Sequence, residues 1–152
     1  MVNTKDLITL RKETQAPLIE CKKCLDVAGG DLKKAKELLK KRGFSFALKK
    51  KERTTEAGII EGYIHNNKKI GVLVEVACET DFVAKNKIFQ DFAHKLAMQV
   101  ASMNPESVNE LLNQSFILDE KETVEDKLKE IIFKTGENIR IKRFVRFELG
   151  KI

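Results

Sequence analysis

The chain is predicted to take an α+β fold: a three-helix bundle first, then an antiparallel three-stranded core carrying two or three helices. Three observations lead there. Apolar residues recur at helical spacing through residues 4–43, and they alternate one-on, one-off at 70–78 and again at 139–149. The charge also divides. Of the 152 residues, 1–53 hold 15 Lys+Arg against 7 Asp+Glu, a balance of +8, while 54–152 hold 14 against 16, a balance of −2. That split predicts two modules, 1–53 and 54–152, meeting at the polar stretch Lys49–Thr55.

The first helix is expected from Asn3 or Thr4 to Glu13, with Leu7, Ile8 and Leu10 apolar. Pro17 suits the first turn of a second helix, where its missing N–H leaves nothing unpaired. Leu18, Cys21, Leu25 and Ala28 then fall on one face and predict its buried stripe. Ile19, beside that stripe, reads either as the edge of the core or as a small apolar docking patch. Gly29-Gly30 ends the helix and Asp31 caps the third, whose stripe is Leu32, Ala35, Leu38 and Leu39, with Gly43 as its stop. A bundle this small has no room for an enclosed active site and suits binding.

Residues 57–65 carry β-formers in partial alternation, and Asn66–Lys69 reads as the hairpin connection to a strand at 70–78. In that strand Ile70, Val72, Val74, Val76 and Cys78 share one face. The strand ends at Glu79-Thr80-Asp81 and a long helix follows, with Phe89, Phe92, Ala93, Leu96, Ala97 and Val100 on its buried side and Asn104-Pro105 as its stop. Residues 106–120 have no decisive pattern. Thr123 predicts the cap of a helix running to about Lys134. In the last strand Ile139, Ile141, Arg143, Val145, Phe147 and Leu149 are expected on one face, opposite a basic second face.

The search for chemistry comes back nearly empty. There is no phosphate-cradling glycine loop, no nucleophile elbow and no zinc-protease motif, and only two histidines, His65 and His94. Cys21-Lys22-Lys23-Cys24 lies within a helix with no second pair, so Cys21 is expected in the core and Cys24 as a filler or partly exposed thiol. Three cysteines, an odd number, fit a reducing cytosol rather than a disulfide framework. No apolar run approaches the ~20 residues of a membrane helix. The opening residues lack the apolar stretch of a signal peptide and are expected to belong to the folded chain. These features point to a cytoplasmic binding protein with no cofactor or metal, not an enzyme.

One segment stands apart, Cys78-Glu79-Thr80-Asp81-Phe82-Val83-Ala84-Lys85-Asn86. Spacing assigns Phe82, seven residues before Phe89, to the buried stripe of the long helix. The alternative is an apolar wedge held out at a stiff corner beside the carboxylate of Asp81.

This segment resembles the bacterial elongation factor Ts family, whose T-D-F-V-A-[KR]-N stretch appears as Thr80 to Asn86. The resemblance extends to Leu10-Arg11, Glu20-Cys21-Lys22-Lys23, Gly30-Asp31, Lys34-Ala35 and the strand Gly71–Glu79. It also covers the final G-E-N-I-x-[IV]-[KR]-R pattern at Gly136 to Arg143, followed by Phe144–Gly150. It implies a ubiquitin-associated-like (UBA-like) three-helix domain at 1–53 and a dimerisation-type core at 54–152. It further implies a guanine-nucleotide exchange factor for elongation factor Tu that needs neither nucleic acid nor a membrane. By the same likeness, Asp81 and Phe82, within Thr80, Asp81, Phe82 and Val83, push into the GTPase and disturb its magnesium and phosphates. Leu18 and Ile19 stand where the family has two docking methionines. Longer members carry more chain before the final strand, where this one has only residues 104–135. Short members pair as homodimers, here expected to be non-covalent because Val145 stands where some of them have a cysteine. The residues alone leave a second reading, a basic RNA- or ribosome-associated module, which a steep salt dependence of binding distinguishes.

Overall fold

The computed structural model describes residues 2–152. The bundle is α1 (Thr4–Thr14), α2 (Leu18–Val27) and α3 (Leu32–Lys50). The core follows as β1 (Ala57–Ile64), β2 (Ile70–Cys78), α4 (Asp81–Ala84), α5 (Lys87–Met103), α6 (Val108–Asn113), β3 (Ser115–Phe116), β4 (Asp119–Thr123), α7 (Val124–Thr135) and β5 (Ile139–Glu148). The α+β fold class expected from the sequence is the one observed.

Local chemistry explains most helix ends. The Asn3 side chain accepts from Lys5 N at the start of α1, and Asp31 accepts from Lys34 N at the start of α3. Thr123 and Asp126 form a reciprocal capping box on α7, which Gly136 closes in the left-handed conformation at φ 77°. Leu10, Cys21, Cys24, Leu25, Ala35 and Leu39 fill the bundle, so Cys24 is fully inside rather than partly exposed.

Leu18 departs from the expected buried stripe. Pro17 is the N-cap of α2, so Leu18 is the first helical residue, and its side chain leans back past the helix start into solvent. The third helix departs too, because it runs on through Gly43 to Lys50. Gly43 is a point of close approach rather than a stop: a Cβ there would lie 3.1 Å from Phe133 Cδ2 on α7. Phe46 on the same helix meets Phe133 edge-on, ring centroids 5.6 Å apart. Phe133 thus enters the bundle's core, and Ala47 of α3 enters the core of the second module.

The sheet has the order β1-β2-β5, antiparallel throughout. Val72, Val74 and Val76 of β2 face inward, packed with Phe89, Phe92, Leu96 and Val100 of α5. In β5 the strict alternation breaks. A register shift pairs Glu75 with Arg143 but Val76 with Ile141, leaving Lys142 as an extra residue. The bulge reverses the faces. Ile139 and Ile141 are buried, whereas Val145, Phe147 and Leu149 are exposed. The apolar residues expected on a single face therefore serve two. Phe144 packs inward, and Arg146 donates to the Ala101 carbonyl of α5 at 3.1 and 3.2 Å.

Residues 106–120, without a pattern of their own, are organised from outside by a buried amide. Gln99 of α5 donates to Gln114 Oε1 and the Ser115 carbonyl and accepts from Ile117 N, at 2.8–3.1 Å. Buried amides must be paired, and this one selects the short β3–β4 hairpin as its partner. No helix among the described residues is long and apolar enough to cross a membrane.

Replacing Gly43 with Val places branched carbons against the Phe133 ring. The expected loss is about 1–3 kcal/mol, read as a lower urea midpoint, and an unchanged midpoint would show that α3 and α7 do not meet there.

Candidate functional site

The site is a corner between β2 and α5. Thr80 has extended backbone, and its hydroxyl accepts from Val83 N at 3.4 Å as the N-cap of α4. The one-turn helix Asp81–Ala84 is separated from α5 by Lys85-Asn86, where the sequence pattern suggested one continuous helix. Asn86 restarts the chain as N-cap of α5, accepting from Ile88 N at 2.8 Å, while Gln90 Nε2 holds the Ala84 carbonyl at 3.2 Å. The break turns α4 relative to α5, and Phe82 thereby leaves the buried stripe.

Phe82 is 89% exposed, so the corner presents it to water rather than to the core. Asp81 beside it is also exposed, and its carboxylate has no ion-pair or hydrogen-bond partner among the described residues. Thr80 and Val83 do different work from their neighbours. Val83, with Ala84, is buried in the main core and anchors the corner, while Thr80, Asp81 and Phe82 are exposed. Leu18 and Ile19 are 46% and 67% exposed at the start of α2, so Ile19 is surface rather than core edge.

Sequence reasoning missed one residue. Glu137, 57 residues beyond Thr80, folds its carboxylate under the corner. Oε1 accepts from Glu79 N at 3.1 Å and Thr80 N at 2.9 Å, and Oε2 accepts from the Thr80 hydroxyl at 2.6 Å. The only available signal was its place in the G-E-N-I block, which carries no hint of a contact so far away.

Cys78 lies just behind the corner. Its thiol donates to the Thr80 carbonyl at 3.2 Å. Burial pushes it from its ordinary 9.0 up to about 11, with the Glu137 carboxylate adding to the rise. Burial likewise raises Cys21 and Cys24. All three are protonated, free and buried, so none is poised as a nucleophile. No group of three or more candidate ligands able to hold a metal occurs among the described residues.

A small bundle with an exposed apolar helix start, joined to a core that holds an aromatic ring out in water, defines a protein-binding factor that works through contact. The comparisons with known proteins agree. A family profile described as "Elongation factor TS" matches residues 79–152. The "Elongation factor Ts" of Thermosipho melanesiensis is 40% identical, covering 99% of this chain and 100% of the relative. That of Thermotoga petrophila is 40% identical over 96% of each chain, and that of Carboxydothermus hydrogenoformans 39% over 99% and 90%. The chain belongs to the elongation factor Ts family, cytoplasmic nucleotide-exchange factors for elongation factor Tu in translation elongation, and not enzymes. Membership decides between the two readings the residues left open. The first alignment runs over 196 positions against 152 residues and covers both chains nearly end to end, so the relative holds an internal stretch absent here.

Between pH 9.0 and about 11 the unfolded Cys78 thiol ionises while the folded one keeps its proton. The native state then binds more protons, so stability falls as pH rises through that window. The difference in unfolding free energy between the wild type and Cys78→Ala should slope downward there in urea titrations, and a flat difference would mean the thiol is not buried as described.

Proposed function

We propose that the chain promotes GDP release from elongation factor Tu by inserting the Asp81–Phe82 tip beside the GTPase's magnesium and phosphates. The single observation that carries this reading is the exposure of Phe82 on a corner whose backbone is held by the Thr80 cap, Glu137 and the buried Val83. A free aromatic ring would fold back onto the nearest apolar surface. This one is kept out by the cap, the break before α5 and the buried Val83.

The energetics are those of linkage. Factor and nucleotide each weaken the other's binding by the same ratio. Burying a phenyl ring in a partner is worth about 1.5–3 kcal/mol, or one to two decades of affinity at roughly 1.4 kcal/mol per decade. The ring's own burial therefore offsets part of what the GTPase loses when helices near its metal are pushed apart. The rest comes from other contacts, for which Leu18 and Ile19 on the 1–53 module are assigned as the docking pair. The 54–152 module carries the wedge. No bond is made or broken in this chain, and no cofactor takes part.

The outer sheet face supports pairing with a second copy of the chain. Cross-strand rows Ile60–Glu75–Arg143, Gly62–Leu73–Val145 and Ile64–Gly71–Phe147 lie side by side. Leu73 rests over Gly62 and Ile64 over Gly71, where a Cβ would meet them at 3.3 and 3.0 Å, so the surface stays flat. Arg143 pairs with Glu75 at 2.9 Å across one end of it. An apolar face of this kind fits its own symmetry mate, with no disulfide needed at Val145.

Phe82→Ala should remove most of the acceleration of labelled-GDP release from elongation factor Tu while the circular dichroism stays that of wild type. Release at the wild-type rate would sink the wedge. In sedimentation equilibrium, Leu73→Asp should convert a dimer into monomers, and a wild-type chain that is already monomeric at tens of micromolar, a concentration where specific interfaces of ordinary size are populated, would rule the pairing out.

A further inference from the structure

We propose that Glu137 is a positioning residue for exchange: its carboxylate locks the corner that keeps Phe82 extended. The inference rests on the reading of Phe82 as the wedge.

Both oxygens of Glu137 are used. Oε1 takes the successive amides of Glu79 and Thr80, and Oε2 takes the Thr80 hydroxyl at 2.6 Å, a length typical of a hydroxyl donating to a charged oxygen. That last bond has a second effect. The hydroxyl has one proton, and giving it to Glu137 aims its lone pairs at Val83 N, the amide it must cap to start α4. The carboxylate therefore fixes the end of β2, the rotamer of Thr80 and the first turn of the helix bearing Phe82. The Thr80 carbonyl is held from the other side by Ala84 N at 3.2 Å and the Cys78 thiol. Glu137 reaches the corner's backbone from 57 residues away.

Glu137 itself is held by its neighbours. It follows Gly136, the left-handed end of α7, and precedes Asn138, which is buried and donates to the Arg53 carbonyl at 2.8 Å and the Lys51 carbonyl at 3.3 Å. Arg140 also donates to Lys51 O, at 2.9 Å, and Arg53 pairs with Glu79 at 3.4 Å. One short segment, 137–140, thus grips both the wedge corner and the tail of α3.

The test compares Glu137→Ala, Glu137→Asp and Glu137→Gln with Phe82→Ala in the full chain, measuring labelled-GDP release from elongation factor Tu across a concentration series. Gln keeps the length and one carbonyl acceptor, while Asp keeps the charge but is shorter by a carbon–carbon bond of about 1.5 Å. The expected result is a maximal acceleration lowered roughly tenfold or more in Ala and Asp, with Gln, which keeps the acceptor for the two amides but cannot accept from the Thr80 hydroxyl, lying between them and wild type. The half-saturation concentration should change little, since Leu18 and Ile19 are untouched. Hydrogen exchange at the Glu79 and Thr80 amides should quicken in Ala and Asp and stay slow in Gln. If Ala does not fold, the Asp–Gln pair still decides. Asp active with Gln inactive would mean charge, not position, and overturns the proposal. So do wild-type rates or unchanged amide protection in all three variants. If those variants keep full acceleration while Phe82→Ala loses it, the wedge stands and Glu137 is dismissed. Should Phe82→Ala also keep it, the wedge reading falls and this proposal falls with it.

Discussion

An aromatic ring standing in water is a local instability, and the second module is organised around preventing it from relaxing. Leaving a phenylalanine exposed forgoes about 1.5–3 kcal/mol of burial. The ring will take any route back to the core that a flexible backbone offers. Here each route is closed: Val83 and Ala84 are already in the core, Thr80 caps the turn, Asn86 restarts the next helix, and Glu137 pins the strand end. In the proposed function that burial is recovered on contact with the GTPase.

A rigid tip is useful only if the rest of the binding surface is rigid with it. The polar stretch Lys49–Thr55 begins as the last turn of α3, which runs to Lys50. Helix α3 is a single element shared by two cores, with Phe133 crossing into one and Ala47 into the other. Polar ties reinforce it. Lys40 of α3 reaches Glu122 at 2.7 Å, and against the upward push of burial, Lys40 and Lys127 together hold that carboxyl below its usual range. The surplus of positive charge on the first module lies mostly on exposed helix faces.

Much of the fold was legible because its signals are local. Asp31 and Thr123 cap where the sequence placed them, and the alternation in β2 predicted which residues face α5. The misreadings share a cause. Gly43 looked like a stop because glycine weakens helices, but here the need for close contact with Phe133 outweighs propensity. In β5, period two was read straight through Lys142, and one extra residue there reverses everything beyond it. For Phe82 the sevenfold interval to Phe89 was real, yet the two rings belong to different helices.

By itself the sequence determined the order of the three bundle helices, β1, β2, α5, α7 and β5, the caps Asp31 and Thr123, the inward face of β2 and the family, since each depends on residues near one another in the chain or on a pattern of letters. Tertiary structure alone decided that α3 joins the two cores, that a bulge divides the last strand between inner and outer faces, that Gln99 shapes the β3–β4 hairpin, and that Glu137 holds a corner 57 residues away. Those outcomes depend on which distant groups meet once the core closes, and no local spacing encodes a hydrogen bond whose two ends lie on separate elements.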